Sequence, residues 1–398
     1  MSTHAHDAYF SEVEPRFADG EDFTVGIEEE FQILDPESLA LADGFEELRD
    51  AVPEPLEGHL LGELLSCEVE IATKRCPDFA AAAADIAGRR AALFAHARDY
   101  GYALGATGTQ PFSGWRDQHI IDTPHYRLVE ESLRYVAWRN NTWSFHVHVG
   151  VRGLDRAVQV CDALRAQLPY LLALSANSPF IEGVWTHLHS VRTQTFLRMF
   201  PRCGIPDAFG DWEAHRGFYE ELLDTNCLRE FTQVWWSVRP HHKYGTVEIR
   251  ICDAQTELWQ TLAVAALAVG LVATAARRID EGGSLYVPPT RYVEENLWRA
   301  IRHGLDGSLV DFERRIEVPA VEALAGLVDQ VLPVAAELGL QPWLDGVDRM
   351  LREGNGAQRQ EGAHRAGRSI EQVHAETVAR TSDDAATLAV AATGGEAR

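Results

Sequence analysis

The stretch Asp22–Leu34, DFTVGIEEEFQIL, alternates with the period of a strand and carries three carboxylates in a row. Val25, Ile27, Phe31 and Ile33 point one way. Gly26, Glu28, Glu30 and Gln32 point the other, and Glu29 falls on the apolar side. Glu28 and Glu30 would stand roughly 6–7 Å apart on one face, where they repel each other unless a cation or an arginine lies between them. A solvated sheet edge is the plain alternative for such a run.

The pattern recurs. Leu64–Thr73 sets Leu65, Cys67, Val69 and Ile71 against Glu68 and Glu70. Thr142–Val151 sets Phe145, Val147 and Val149 against Ser144, His146 and His148. Tyr244–Asp253 sets Val247, Ile249 and Ile251 against Thr246, Glu248, Arg250 and Cys252. Four such runs suggest a sheet with one face on the core and the other lining a charged cleft. Carboxylates dominate the proposed cleft, which suits Mg²⁺ or Mn²⁺ better than zinc. Two rival chemistries remain open at this point. His146 and His148, with His241 and His242, could serve a zinc hydrolase. A protein that binds nucleotide without turning it over is the non-enzyme alternative. Glu248 and Arg250 also read as a plain same-face ion pair.

Composition narrows the partners. A net charge of −24 argues against nucleic acid. The six cysteines show no C-x-x-C spacing and read as reduced cytosolic thiols. The first ten residues lack the basic and apolar regions of a signal peptide. Leu262–Ala276 is apolar but Ala-rich and shorter than a membrane span needs, so it reads as a core helix. We therefore expect a cytoplasmic protein with no membrane partner, and we allow for a homodimer. Gly105–Gly114 matches no dinucleotide fingerprint, and no P-loop occurs, so a nucleotide would be held in another way.

Along the chain, residues 1–21 read as a flexible leader, 22–354 as a single catalytic domain, and 355–398 as a polar tail, partly helical and then disordered from Thr381. Helices are expected from Pro77 to about Tyr100, over Asp122–Trp138, Asp155–Asn177, Asp211–Thr225, Thr256–Ile279, Arg291–His303 and Ala320–Leu338. Phe180–Phe209 reads as irregular, a lid or substrate loop. Trp235–Pro240 and the Glu248 run read as a β-hairpin turning at His241–Tyr244.

Six pieces in order, VGIEEEFQILDP, ELLSCEVEIAT, FHVHVGV, SVRTQTFLRMFPRCGIP, WWSVRPHHKYGTVEIRICD and ENLWRAIRHG, cover about Asp22–Gly304. Together they resemble the carboxylate–amine ligase family, also called glutamate–cysteine ligase type 2. The resemblance implies an α+β, glutamine-synthetase-like fold, with a curved antiparallel sheet cupping the active site and helices packed outside. It implies ATP-dependent joining of a carboxylate, such as glutamate, to an amine, such as that of cysteine, through an acyl phosphate. It implies metal ligation by Glu28, Glu30, Glu70 and Glu248, with His146 near metal and phosphate. Arg250 would face the transferring phosphoryl group, with His148 beside the nucleotide. Arg192 is our candidate for the substrate carboxylate. Trp143–Phe145 and Cys67 depart from the family pattern and would reshape the substrate pocket.

Overall fold

A computed structural model describes residues 3–394. Seven strands form one antiparallel sheet: β1 (Val25–Leu34), β2 (Leu60–Leu61), β3 (Glu68–Ala72), β4 (Ala103–Gly105), β5 (Phe145–Gly150), β6 (Val238–His241) and β7 (Thr246–Ile249). Their order is β6-β7-β5-β1-β3-β2, with β4 also paired to β1. The register sets Glu28 opposite His146, Glu30 opposite Glu70, and Glu248 opposite both His148 and Arg239. Partners directly opposite share a face, so these pairs bring the polar residues of five strands together.

The other face carries Ile27, Phe31, Val69, Ile71, Phe145, Val147, Val247 and Ile249, all inside one core. Helices cover it: α2 (Phe79–Asp99), α4 (Leu154–Leu164) and α7 (Leu258–Asp280). Asp78 starts α2 by accepting from the Ala81 amide, and Glu257 with Gln260 forms a capping box on α7. At 23 residues α7 is long and apolar enough to cross a bilayer, yet it is buried along most of its length, as a core helix is. Glu29, the carboxylate on the apolar face, is neutralised there. Arg90 of α2 donates to it at 2.9 Å and Thr261 of α7 at 2.7 Å.

Several expectations are corrected. The leader is the helix α1 (Thr3–Ala18), and Phe10, Val13 and Phe17 are wholly buried. Its short apolar stripe at positions 10, 13 and 17 gains stability by docking, which propensity alone would not give. The tail forms two helices, α8 (Gly356–Arg365) and α9 (Ile370–Gly394). Asp384 of α9 accepts from the Leu258 amide at 2.9 Å and lies 3.6 Å from Arg90, so the segment read as disordered is tied into the core; residues 395–398 lie outside the described residues. Phe180–Phe209 contains a small hairpin and the helix α6 (Val191–Met199), started by the Ser190 side chain accepting from the Thr193 amide. The expected helix over Asp155–Asn177 is two helices, α4 and α5 (Leu168–Ser175). Pro169 lies in the first turn of the second, where it cannot continue a helix from before. A further helix, Gln341–Glu353, and a hairpin at 308–319 were not anticipated.

Candidate active site

The polar face of the sheet converges on Glu28, Glu30, Glu68, Glu70, His146, His148 and Glu248, all buried except the half-buried Glu28. His146 sits at the centre. Its Nδ1 lies 2.9 Å from Glu28 Oε2, and its Nε2 lies 2.9 Å from the Ser144 hydroxyl and 3.5 Å from Glu30 Oε1. The Ser144 hydroxyl donates to Glu30 at 2.8 Å, and the Ser144 amide donates to it as well. His148 reaches Glu28 at 3.1 Å and Glu248 at 3.8 Å through Nε2.

Charge is distributed unevenly over this face. Burial pushes Glu28 up, but the charge of His148 and hydrogen bonds with His146 and His148 carry it well below the usual carboxylate range. Burial acts on Glu248 too, yet the guanidiniums of Arg239 and Arg250 hold it well below that range. At the other end burial, with Glu28, Glu63 and Glu30 nearby, pushes Glu70 well above its ordinary value. Burial and the charges of Glu30 and Glu63 do the same to Glu68. Burial and Glu30 push Glu63 up to about 6, and burial raises Glu30 against the opposing charge of Arg192. Burial, then Arg250, pushes His146 down to about 4, so its ring is neutral near pH 7 and keeps a lone pair for a ligand.

Two sets of side chains place one donor atom each within 4.8 Å of one another: Glu28, His146 and Glu248, and Glu30, Glu70 and His146. They differ in electrostatics. In the first, both Glu248 oxygens already receive guanidinium N–H groups from Arg239 and Arg250. In the second, burial raises Glu30, and burial with the neighbouring carboxylates raises Glu70. Beside it Glu68 keeps a buried oxygen, Oε2, with no hydrogen-bond partner. A hard divalent cation ligated by oxygens would satisfy that deficit, so the donor set fits Mg²⁺ or Mn²⁺ at the Glu30–Glu70 end. His241 stacks on Tyr244 and His242 packs among aromatic rings under α1, so neither joins a cation set.

A cavity of about 140 Å³ opens beside this end. Glu30, Glu63, Glu68, Arg192 and Arg250 line it, with Tyr126 of α3 (Pro124–Leu133) and Trp235. Arg192, expected at the substrate, is buried and does reach the cavity. Its Nη1 donates to the Ile251 carbonyl at 3.1 Å and its Nη2 to the Arg250 carbonyl at 3.3 Å, while its Nε is buried without a partner. Arg250 also reaches the cavity and pairs with Glu248 behind it. His148 does not line the cavity. It lies deeper, between Glu28 and Glu248, with its ring against His241. Trp143, the first residue of the Trp143–Phe145 departure, and Cys67 pack together with Leu64 and Val129 in one small core, and the latter two form part of the cavity wall; Phe145 lies in the main core.

Sequence reasoning missed Glu63 and Arg239. Glu63 sits in the irregular link between β2 and β3, outside any alternating run; Arg239 was legible only once the hairpin register put it opposite Glu248.

Residues 24–384 match the family model for glutamate–cysteine ligase family 2, GCS2. Two Rubrobacter xylanophilus proteins, named "Putative glutamate--cysteine ligase 2-2" and "2-3", are 38% and 41% identical. The first alignment covers 90% of this chain and 91% of the relative, the second 87% and 94%. The fold is similar to that of a glutamate–cysteine ligase from Francisella tularensis solved in complex with AMP. The TM-score is 0.65 at 14% identity, over 94% of this chain and 95% of that one. A bifunctional glutathione synthetase from Pasteurella multocida aligns with a TM-score of 0.60 at 14% identity, over 96% of this chain and 54% of that one.

Proposed function

Because the chain belongs to glutamate–cysteine ligase family 2, an ATP-dependent ligase family that forms C–N bonds, we propose that it joins the side-chain carboxylate of glutamate, or a similar carboxylate, to the amine of cysteine or another amine. The observation that carries this reading is the meeting of carboxylates and two arginines at one cavity. Free carboxylate resists an amine because its leaving group is poor. Phosphorylation by ATP converts it to an acyl phosphate with loss of ADP, and amine attack on the acyl carbon then releases phosphate.

Each side chain has a part. Glu30 and Glu70, with His146, would hold Mg²⁺ or Mn²⁺, and Glu28 and Glu248 form with His146 a second set for another such ion. Such an ion, when bound, neutralises the two anions that must meet, carboxylate and γ-phosphate. Arg250 stabilises charge on the transferring phosphoryl group. Arg192 offers its unpartnered Nε–H to the substrate carboxylate. His148 keeps Glu28 ionised and oriented, which supports the nucleotide end from behind. We place the enzyme in the cytoplasm. The test is a screen for Mg²⁺-dependent ADP release against amino acids and amines, with product masses. A condensed product of glutamate and an amine is expected. ATP binding with no ADP release for any pair would leave only a nucleotide-binding role.

A further inference from the structure

Arg192 is gripped from behind by a carboxylate with no part in the cation sets. Asp253 is wholly buried and does not line the cavity. Its Oδ2 accepts from the Asn177 amide at 2.9 Å and from the Ser178 hydroxyl at 2.6 Å. Its Oδ1 accepts from the Ser190 hydroxyl at 2.9 Å and from Arg192 Nη1 at 3.4 Å. Four donors converge on one group, close to the number a carboxylate can accept. Gly108 leaves room for it, since a Cβ there would come within 2.8 Å of Asp253 Cγ.

The grip has a direction. The carbonyls of Ile251 and Arg250 and the carboxylate of Asp253 all take the Nη1 and Nη2 atoms of Arg192. The Nε edge is left buried and unpartnered on a residue that faces the cavity. A guanidinium is a flat fork, so fixing one edge fixes the other. The Ser178 hydroxyl also accepts from the Arg192 amide at 3.2 Å, so backbone and side chain of this arginine are tied to the same carboxylate network. Carbonyls supply dipoles; Asp253 adds charge within the same cluster, and charge-assisted bonds hold geometry more strongly than neutral ones.

We propose that Asp253 is a positioning residue that orients Arg192 to receive the substrate carboxylate. The proposal rests on the reading of Arg192 given above, and its test separates the two. Steady-state kinetics vary L-glutamate, or whichever carboxylate the ADP-release screen identifies, and then ATP. Asp253→Asn keeps the shape and weakens the grip on Nη1. The KM for the carboxylate is expected to rise about tenfold, as for loss of one hydrogen bond to a charged group, with kcat and the KM for ATP within about twofold. A residue that only stabilises the fold would lower active enzyme and apparent kcat without moving one KM. Arg192→Ala should raise the same KM, and the double variant should be no worse than Arg192→Ala alone.

An unchanged carboxylate KM in Arg192→Ala would overturn the reading of Arg192, and the Asp253 proposal with it. A raised KM in Arg192→Ala beside a normal one in Asp253→Asn would overturn the Asp253 role alone. Should Asp253→Asn not fold, Ser178→Ala removes one donor to the same carboxylate. It should raise that KM about two- to threefold, and no change would likewise overturn the proposal.

Discussion

At the scale of single residues, Arg250 and Glu70 carry opposite electrostatic burdens. Arg250 rests on Glu248, whose other guanidinium partner is Arg239. With Arg239 present, Glu248 stays neutralised if Arg250 turns to a phosphoryl group. Lysine would keep the ion pair but lose the fork. Arg250→Lys should therefore lower kcat about 10²-fold, the loss typical of one preorganised donor, with the KM for ATP little changed. A near-normal kcat in steady-state assays would make Arg250 structural. Glu70 is raised because it is buried among Glu28, Glu63 and Glu30. A carboxyl with a raised folded pKa contributes its stability fully below the unfolded value near 4.5. It loses that stability as pH rises through the folded value. Glu70→Gln does not ionise. In metal-free buffer the variant and wild type should melt alike near pH 4.5. The variant should gain an advantage of ~2 °C or more at pH 8 while ADP release falls. Comparing the two proteins at each pH cancels the buried neutral histidines, whose contribution runs the other way. Equal melting curves at every pH would mean that Glu70 is not strained by its neighbours.

At the scale of elements, strands and terminal helices behave differently. Alternation tells which strand residues share a face, and the register supplies what meets across strands. A terminal helix has no such internal check; its existence depends on what it docks against. α1 docks through Phe10, Val13 and Phe17, and Tyr9 stacks on Phe231 with ring centroids 3.4 Å apart. Pro15 stands inside this helix. A proline there removes a hydrogen bond, so tertiary contacts must supply most of the stability. Phe17→Ala should cost about 3–5 kcal/mol, read as a shift in denaturant midpoint at constant slope. A change under ~1 kcal/mol would mean that α1 is bound loosely, as a leader would be.

At the scale of the whole molecule, an acidic chain of net charge −24 must bring two anionic substrates to a cavity that is itself lined by glutamates. Arg192 and Arg250 are two cations facing Glu30, Glu63 and Glu68 there, and on the proposed reading a divalent cation brought in with ATP adds the rest of the balance. ATP with Mg²⁺ should raise the melting temperature more than ATP alone, because binding to the folded state adds directly to stability. Chelation should abolish ADP release, and added zinc should not restore it. Full turnover in metal-free buffer would contradict the cation assignment of Glu30 and Glu70.

How far the chain could be read follows from the range of each interaction. The alternation of β1, β3, β5 and β7 is local, a matter of side chains two residues apart. By itself it determined that Glu28, Glu30, Glu70, His146, Glu248 and Arg250 leave the apolar face. It could not say that Glu248 belongs first to two arginines, because Arg239 meets it only through the β6–β7 register. Nor could it reach Glu63, in the irregular link before β3, or Asp253, whose four donors come from positions 177, 178, 190 and 192. The leader helix, and the continuation of the tail helix past Thr381, were beyond it for the same reason. A sparse apolar stripe or an Ala-rich run is helix or coil according to what it packs against. Only the closed fold set Phe17 in the core and brought Asp384 to Leu258 and Arg90.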